Sequence, residues 1–217
     1  MSHDLRTPLT MIQAYAEMMR DIPGENTPEN VQVIIDEAGH LTGMVNDLLD
    51  ISKLQAGVTQ LNKTQFNLTK NLQAAVQRIG RMASANEFTI ELICDHDQEV
   101  FVDADEFKIY QVVYNLINNA LNYSGDSRHV IVRQECIGDT VKVSVQDFGP
   151  GIAKENLPLV WERYYKVDKE HRRSFNGSGL GLAIVRKILE LHNAQYGVDS
   201  TLGQGSTFWF CLKVSDE

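Results

Sequence analysis

Residues 130–152 read VIVRQECIGDTVKVSVQDFGPGI, and this stretch decides the architecture. Val130 to Cys136 and Thr140 to Gln146 alternate apolar with polar residues, the period of a half-buried strand. Gly138-Asp139 between them supplies the turn of a β-hairpin. Farther out, Gln195 to Ser200 and Ser206 to Val214 form a closing hairpin around Gly203-Gln204-Gly205, while Phe88 to Cys94 and Val100 to Val102 read as further strands. Helical spacing marks a run to about Met82 capped by Asn67, then Asp105 to Tyr123, then Ser178 to Leu191. Hairpins outnumber strand–helix–strand units. The expectation is therefore a mixed sheet covered by helices on one face, an α/β sandwich, in preference to a doubly wound fold.

The first quarter of the chain follows another rule. Leu5, Leu9, Ile12, Ala16 and Met19 return every three or four residues, and Pro23-Gly24 and Pro28 interrupt the run. Val31, Ile34, Ala38, Leu41, Val45 and Leu48 then repeat the spacing, with Met44, Leu49 and Ile51 widening the stripe. An antiparallel helical hairpin with so wide an apolar face is half of a four-helix bundle, so a homodimer is expected. The class is α+β: a hairpin over residues 1–57 ended by Gly57, a linker over 58–63, and the sandwich domain over 64–217.

Composition narrows the function. No apolar run approaches the roughly 20 residues that span a bilayer, and no secretory signal opens the chain. The net charge of -9 without a basic stripe argues against nucleic-acid binding. Cys94, Cys136 and Cys211 lack metal or CxxC spacing and read as small buried residues of a reducing compartment.

Three groups carry chemistry. On a helix His3, Asp4 and Thr7 lie together, and Pro8 offers no N–H to the carbonyl of Asp4, so a bend beyond the histidine is expected. A neutral imidazole keeps one nitrogen as a nucleophile, while an adjacent carboxylate holds the proton on the other. A plain surface histidine beside a plain aspartate is the bland alternative. His40, His96, His129, His171 and His192 form no cluster and read as surface or structural.

In the helix from Asp105, Phe107, Val113, Leu116, Ile117, Ala120 and Leu121 face the sheet, leaving Gln111, Asn115, Asn119 and Asn122 on another side. That is either a solvated polar face or a set of amide oxygens suited to Mg²⁺ shared with a phosphate ligand. Asp147-Phe148-Gly149-Pro150-Gly151-Ile152 closes a strand with a tight turn, where Asp147 can accept from an exocyclic amine and so select adenine. Gly177-Ser178-Gly179-Leu180-Gly181-Leu182 opens a helix whose free N–H groups suit phosphate. The weakly periodic stretch from Ala153 to Asn176, with Lys154, Lys166, Lys169, Arg172 and Arg173, reads as a lid.

Taken together these strings resemble the two-component sensor histidine kinases with a HisKA hairpin and an ATP-binding domain shared with Hsp90 and gyrase. Ser2 to Thr10 is similar to the H box, Asn115 to Ala120 to the N box, and Trp161 to Lys166 to the F box. Asp147 to Ile152, Gly177 to Leu182 and Gly203 to Phe208 are similar to the glycine boxes. The resemblance implies that His3 is autophosphorylated by ATP, with Asp4 as acid/base partner, and that the phosphoryl group passes to an aspartate on a response regulator receiver domain. Thr7 matches the position that serves dephosphorylation of the regulator. Asn115 and Asn119 are the implied Mg²⁺ residues. Asn122, Tyr123, Asp147, Gly149, Gly151, Ile152, Tyr165 and Lys166 join the nucleotide set, as do Gly177, Ser178, Gly179, Leu180, Gly181, Leu182 and Thr207. Two departures stand out: Asn122 where the family carries lysine, and Phe148 where asparagine is common.

The expectation is the cytoplasmic kinase core of a membrane-anchored sensor, hinged near Gly57. An Hsp90- or gyrase-like ATPase and a degenerate dimerisation and regulator-docking module are the alternatives. Only Met1 and Ser2 precede His3. The chain thus reads as a piece of a longer sensor with a competent ATP site, a weakened dimer and slow autophosphorylation.

Overall fold

The computed structural model describes residues 2–56, 60–84, 87–95, 99–165 and 179–215, with the side chains of residues 2–4 and 55 outside the description. Helix α1 (Ser2–Asp21) runs through Pro8 and is followed by α2 (Pro28–Gln55). Thr27 caps α2 by accepting the Asn30 N–H at 3.2 Å, and Pro28 occupies a position where its missing N–H costs nothing. Along α2, Met44 is buried, but Val31, Ile35, Val45 and Leu49 stay exposed, as does Leu9 on α1. One hairpin leaves half of its apolar stripe uncovered.

The rest is a mixed sheet under helices, as expected. Strands β1 (Thr64–Asn67) and β3 (Phe101–Ala104) pair antiparallel. The main sheet holds β2 (Thr89–Cys94), β4 (His129–Ile137), β5 (Thr140–Asp147), β6 (Gln195–Thr201) and β7 (Gly205–Lys213), in the order β2-β4-β5-β7-β6. Only the β2–β4 pair in this sheet is parallel. Helices α3 (Leu68–Ala83), α4 (Glu106–Tyr123) and α5 (Gly181–His192) cover one face, meeting Val132, Val143 and Phe210, which are fully buried. Asn67 and Asp105 cap α3 and α4 through the N–H groups of Lys70 and Lys108.

Several expectations change. Strand β1 was not foreseen. Phe107 does not face the sheet: it is 72% exposed, with Lys108 Nζ 5.7 Å from its ring, because the buried stripe runs through Ile109, Val112, Val113, Leu116, Ile117 and Ala120. Helix α5 starts at Gly181, later than Ser178. Gly57 and residues 166–178, with the second part of the lid, lie outside the described residues.

Packing and hydrogen bonds join the hairpin and linker to the sandwich. Ile51 and Leu54 of α2 belong to the same buried cluster as α4 and α5, and Asp50 accepts from the Gln111 amide at 2.7 Å. Asp105 holds the linker by accepting the Asn62 N–H at 2.9 Å, and its own N–H donates to His192 Nε2 at 3.1 Å. Nδ1 of His192 lies 2.8 Å from the Ile188 carbonyl, which makes it the protonated nitrogen of a neutral ring. Burial pushes the His192 pKa down and keeps that ring neutral.

Candidate functional site

The site is built where β5 ends. Asp147 is 2% exposed, and its Oδ1 accepts two backbone N–H groups, from Gly149 at 2.9 Å and Ser206 at 3.2 Å. Burial pushes its carboxyl up to about 6, and these two hydrogen bonds only partly offset that. One oxygen is thus fixed, and Oδ2 has no hydrogen-bond partner among the described residues, which suits an acceptor for an incoming base amine.

The turn after Asp147 is wedged by backbone. A Cβ on Gly149 would stand 1.7 Å from the Tyr123 carbonyl oxygen, and one on Gly205 would stand 2.1 Å from that of Asp147. Gly151 has φ +71, and a Cβ there would meet the Thr201 carbonyl oxygen at 2.1 Å. The Ile152 N–H donates to Ser200 Oγ at 2.8 Å, and the Gly203 N–H to the Pro150 carbonyl at 2.7 Å. Glycine is therefore required by close approach of three segments, and the turn is stitched to the β6–β7 hairpin.

Opposite lies α5. Among the described residues no side chain caps its N-terminus and no acid sits in its first turn, an arrangement of backbone donors and positive dipole end that suits an anion. An ideal Cβ on Gly181 would lie 3.5 Å from Asn115 Oδ1, which brings the α4 amide beside this helix start. Asn115, Asn119 and Asn122 are all half-buried on α4, and Tyr123 is 39% exposed at its end.

A model of the histidine kinase-, DNA gyrase B- and HSP90-like ATPases matches residues 104–216, and one of the His Kinase A phospho-acceptor domain matches residues 1–57. The chain belongs to the sensor histidine kinases. The resemblance read from the boxes is thereby borne out. Sensor histidine kinase WalK of Bacillus subtilis is 34% identical over 224 residues, covering 100% of this chain and 36% of WalK. The autoinducer 2 sensor kinase/phosphatase LuxQ of Vibrio cholerae is 32% identical over 220 residues, covering 99% of this chain and 25% of LuxQ. The chain thus spans about a third or less of these curated relatives. Among solved structures, full-length ShkA in complex with AMPPNP superimposes with a TM-score of 0.74 at 25% identity, covering 100% of this chain and 45% of that one.

Within this sensor histidine kinase chain, the expected site residues distribute unevenly. Asn115 lies beside Gly181 at the start of α5, and Asp147, Gly149, Gly151 and Ile152 gather in the turn after β5. Gly179 has φ +67, and its carbonyl accepts the Tyr164 N–H at 2.9 Å. Leu180 is 1% exposed, so its side chain serves the core. Leu182 and Tyr165 are partly buried against that core. Trp161 packs edge-on against Tyr196 and Phe208, whereas Tyr164 is 36% exposed with φ +59.

Thr207 faces Gln146 and Asp199 across the ladders, and strand alternation turns it away from the side of Ser206 and Phe208. Ser206 reaches Asp147 instead. Ser206 and Ser200, whose hydroxyls are 3.0 Å apart, were not foreseen. The serine inside Gly203-Gln204-Gly205-Ser206 was the available signal for one of them.

Lys166, Gly177 and Ser178 lie outside the described residues, as do the side chains of His3 and Asp4. Thr7 is exposed one turn beyond His3 on α1. A cavity of about 390 Å³ opens at Ile51, Trp161 and Ala183, and none of the residues expected to hold nucleotide lines it. At its rim Arg186 bridges Glu162 at 3.0 Å and Glu190 at 2.9 Å. No helix among the described residues is long and apolar enough to cross a membrane.

Proposed function

We propose that this chain is the ATP-dependent kinase core of a sensor histidine kinase that phosphorylates His3 and passes the phosphoryl group to an aspartate of a response regulator receiver domain. The observation that carries the reading is the Asp147 carboxylate. One oxygen is fixed by two backbone N–H groups and the other is left for an adenine amine. Residues 1–57 would form the dimerising acceptor hairpin, 58–63 the linker and 64–217 the catalytic domain.

The residues present fit Mg-ATP. The second Asp147 oxygen suits an adenine amine, the start of α5 suits phosphate, and the amide oxygens of Asn115 and Asn119 suit a hard cation. Bound Mg²⁺ supplies charge neutralisation for the phosphates. The chain's own work is positioning: Asp147 orients the base, α5 orients the phosphates, and Asp4 keeps one His3 nitrogen protonated so that the other presents its lone pair. Attack by that lone pair forms the P–N bond as the bond to the β-phosphate oxygen breaks and ADP leaves. Asn122 brings no charge to this site, so the α5 backbone and the lid cations Lys166 and Lys169 carry that load. Thr7, exposed after His3, suits water-mediated dephosphorylation of the regulator, and LuxQ is named a kinase/phosphatase. ATP and the regulator are cytoplasmic reactants, which puts this core on the cytoplasmic side of its sensor.

Incubation with γ-labelled ATP tests the reading. Wild type is expected to acquire an acid-labile label that His3→Gln lacks. Free phosphate without labelled protein would support a simple ATPase instead, and labelling of His3→Gln would remove His3 as acceptor.

A further inference from the structure

The ladder between β4 and β5 stops at Val130 and Asp147, which face each other in register. One step beyond, His129 and Phe148 are the next facing residues, and their rings stack with centroids 5.6 Å apart and planes 11° from parallel. Alternation puts both rings on the sheet face opposite α4, because Val130 and Asp147 point to the helix side. Glu91, on β2, brings its carboxylate to 3.4 Å from His129 Nε2.

The stack is too exposed to serve the core: Phe148 is 39% exposed and the His129 side chain 36%. It stands instead behind the group that would receive the base. Asp147 is the terminal ladder residue, at the point where a strand pair frays first, and the glycine turn that follows is held through its backbone. Phe148 gives that turn a side-chain tie to β4.

We infer that His129 is a positioning residue: by stacking on Phe148 it holds the end of β5 so that Asp147 keeps its second oxygen aimed at the adenine amine, and it thereby sets the adenine selectivity of the site. This rests on the nucleotide reading of Asp147 given above. An aromatic pair of this kind corresponds to about a two- to tenfold change in affinity. The loss should fall on the base contact and spare the phosphates, which α5 holds.

Calorimetric titration with a non-hydrolysable ATP analogue, and competition with the matching inosine analogue that lacks the exocyclic amine, tests this. His129→Ala is expected to weaken the adenine analogue by about two- to tenfold while changing the inosine analogue little, and His129→Phe to restore adenine binding. Phe148→Ala should reproduce the His129→Ala loss, with no further loss in the double variant. Wild-type affinity in His129→Ala, an equal loss for both nucleotides, or a His129→Phe protein as weak as His129→Ala would each overturn the inference. A wild type that binds neither nucleotide would bring down the underlying reading itself, a separate result.

Discussion

At Asp147 stability and function pull in opposite directions. Its folded pKa, about 6, lies above the usual value near 4, so between them the folded state holds the proton more tightly than the unfolded chain. The unliganded protein is therefore most stable below about pH 4 in this respect, and loses that contribution as pH rises through about 6. Asp147→Asn keeps the acceptor for Gly149 and Ser206 without the buried charge. At pH 7.5 it should stabilise the unliganded protein, by at most about 3 kcal/mol, while nucleotide affinity falls at least about tenfold. Thermal melts at pH 7.5 and pH 4 check this; a lower midpoint for the variant at pH 7.5 would contradict it. In the wild type, nucleotide affinity should drop as the pH is lowered through 6. The sequence made Asp147 and its glycines visible because tight turns use few residue types. Ser206 and Ser200 stayed hidden, since serine is ordinary in hairpins and only the meeting of two distant turns makes these two matter.

Elements were legible where their signals were local. Hairpin alternation, the caps Asn67 and Asp105, and the heptad-like stripes of α1 and α2 all appear within a few residues of one another. Strand β1 was missed because four residues, Thr64 to Asn67, show too little alternation and pair with a partner about 37 residues away, from Phe101 to Ala104. Phe107 was misread because an apolar residue one turn inside a cap looks like core, whereas the buried stripe begins at Ile109. The end of α2 is the larger surprise, since Leu54 belongs by sequence to the hairpin yet is 2% exposed within the sandwich core. Leu54→Ala should cost about 2–4 kcal/mol in chemical denaturation, the penalty of a true core cavity. A loss below about 1 kcal/mol would show that this last turn merely rests on the domain.

At the scale of the whole molecule, the exposed stripe on the hairpin sets the assembly. Ile35 at 55% and Leu49 at 52% are too apolar to remain in water beside Leu9 and Val45. Self-association measured by sedimentation should therefore be concentration-dependent in the wild type and abolished by Leu49→Lys, with helix content unchanged. A variant that associates as the wild type does would place the interface elsewhere. The hairpin's width was readable from spacing alone; the docking of α2 on α4 and α5 was not, because it depends on which side of each helix the sheet leaves free. The Asn62 N–H held by Asp105 adds a limit of another kind. Counted from the end of α2 at Ala56, the chain is pinned again after six residues, a leash of about 20 Å at full stretch. For as long as the pin holds, Asn62 stays within that distance of the end of α2, so any excursion that carries the nucleotide to the acceptor helix must swing about a short tether, and the length of the chain between two fixed points, more than its flexibility, decides where that pivot can sit.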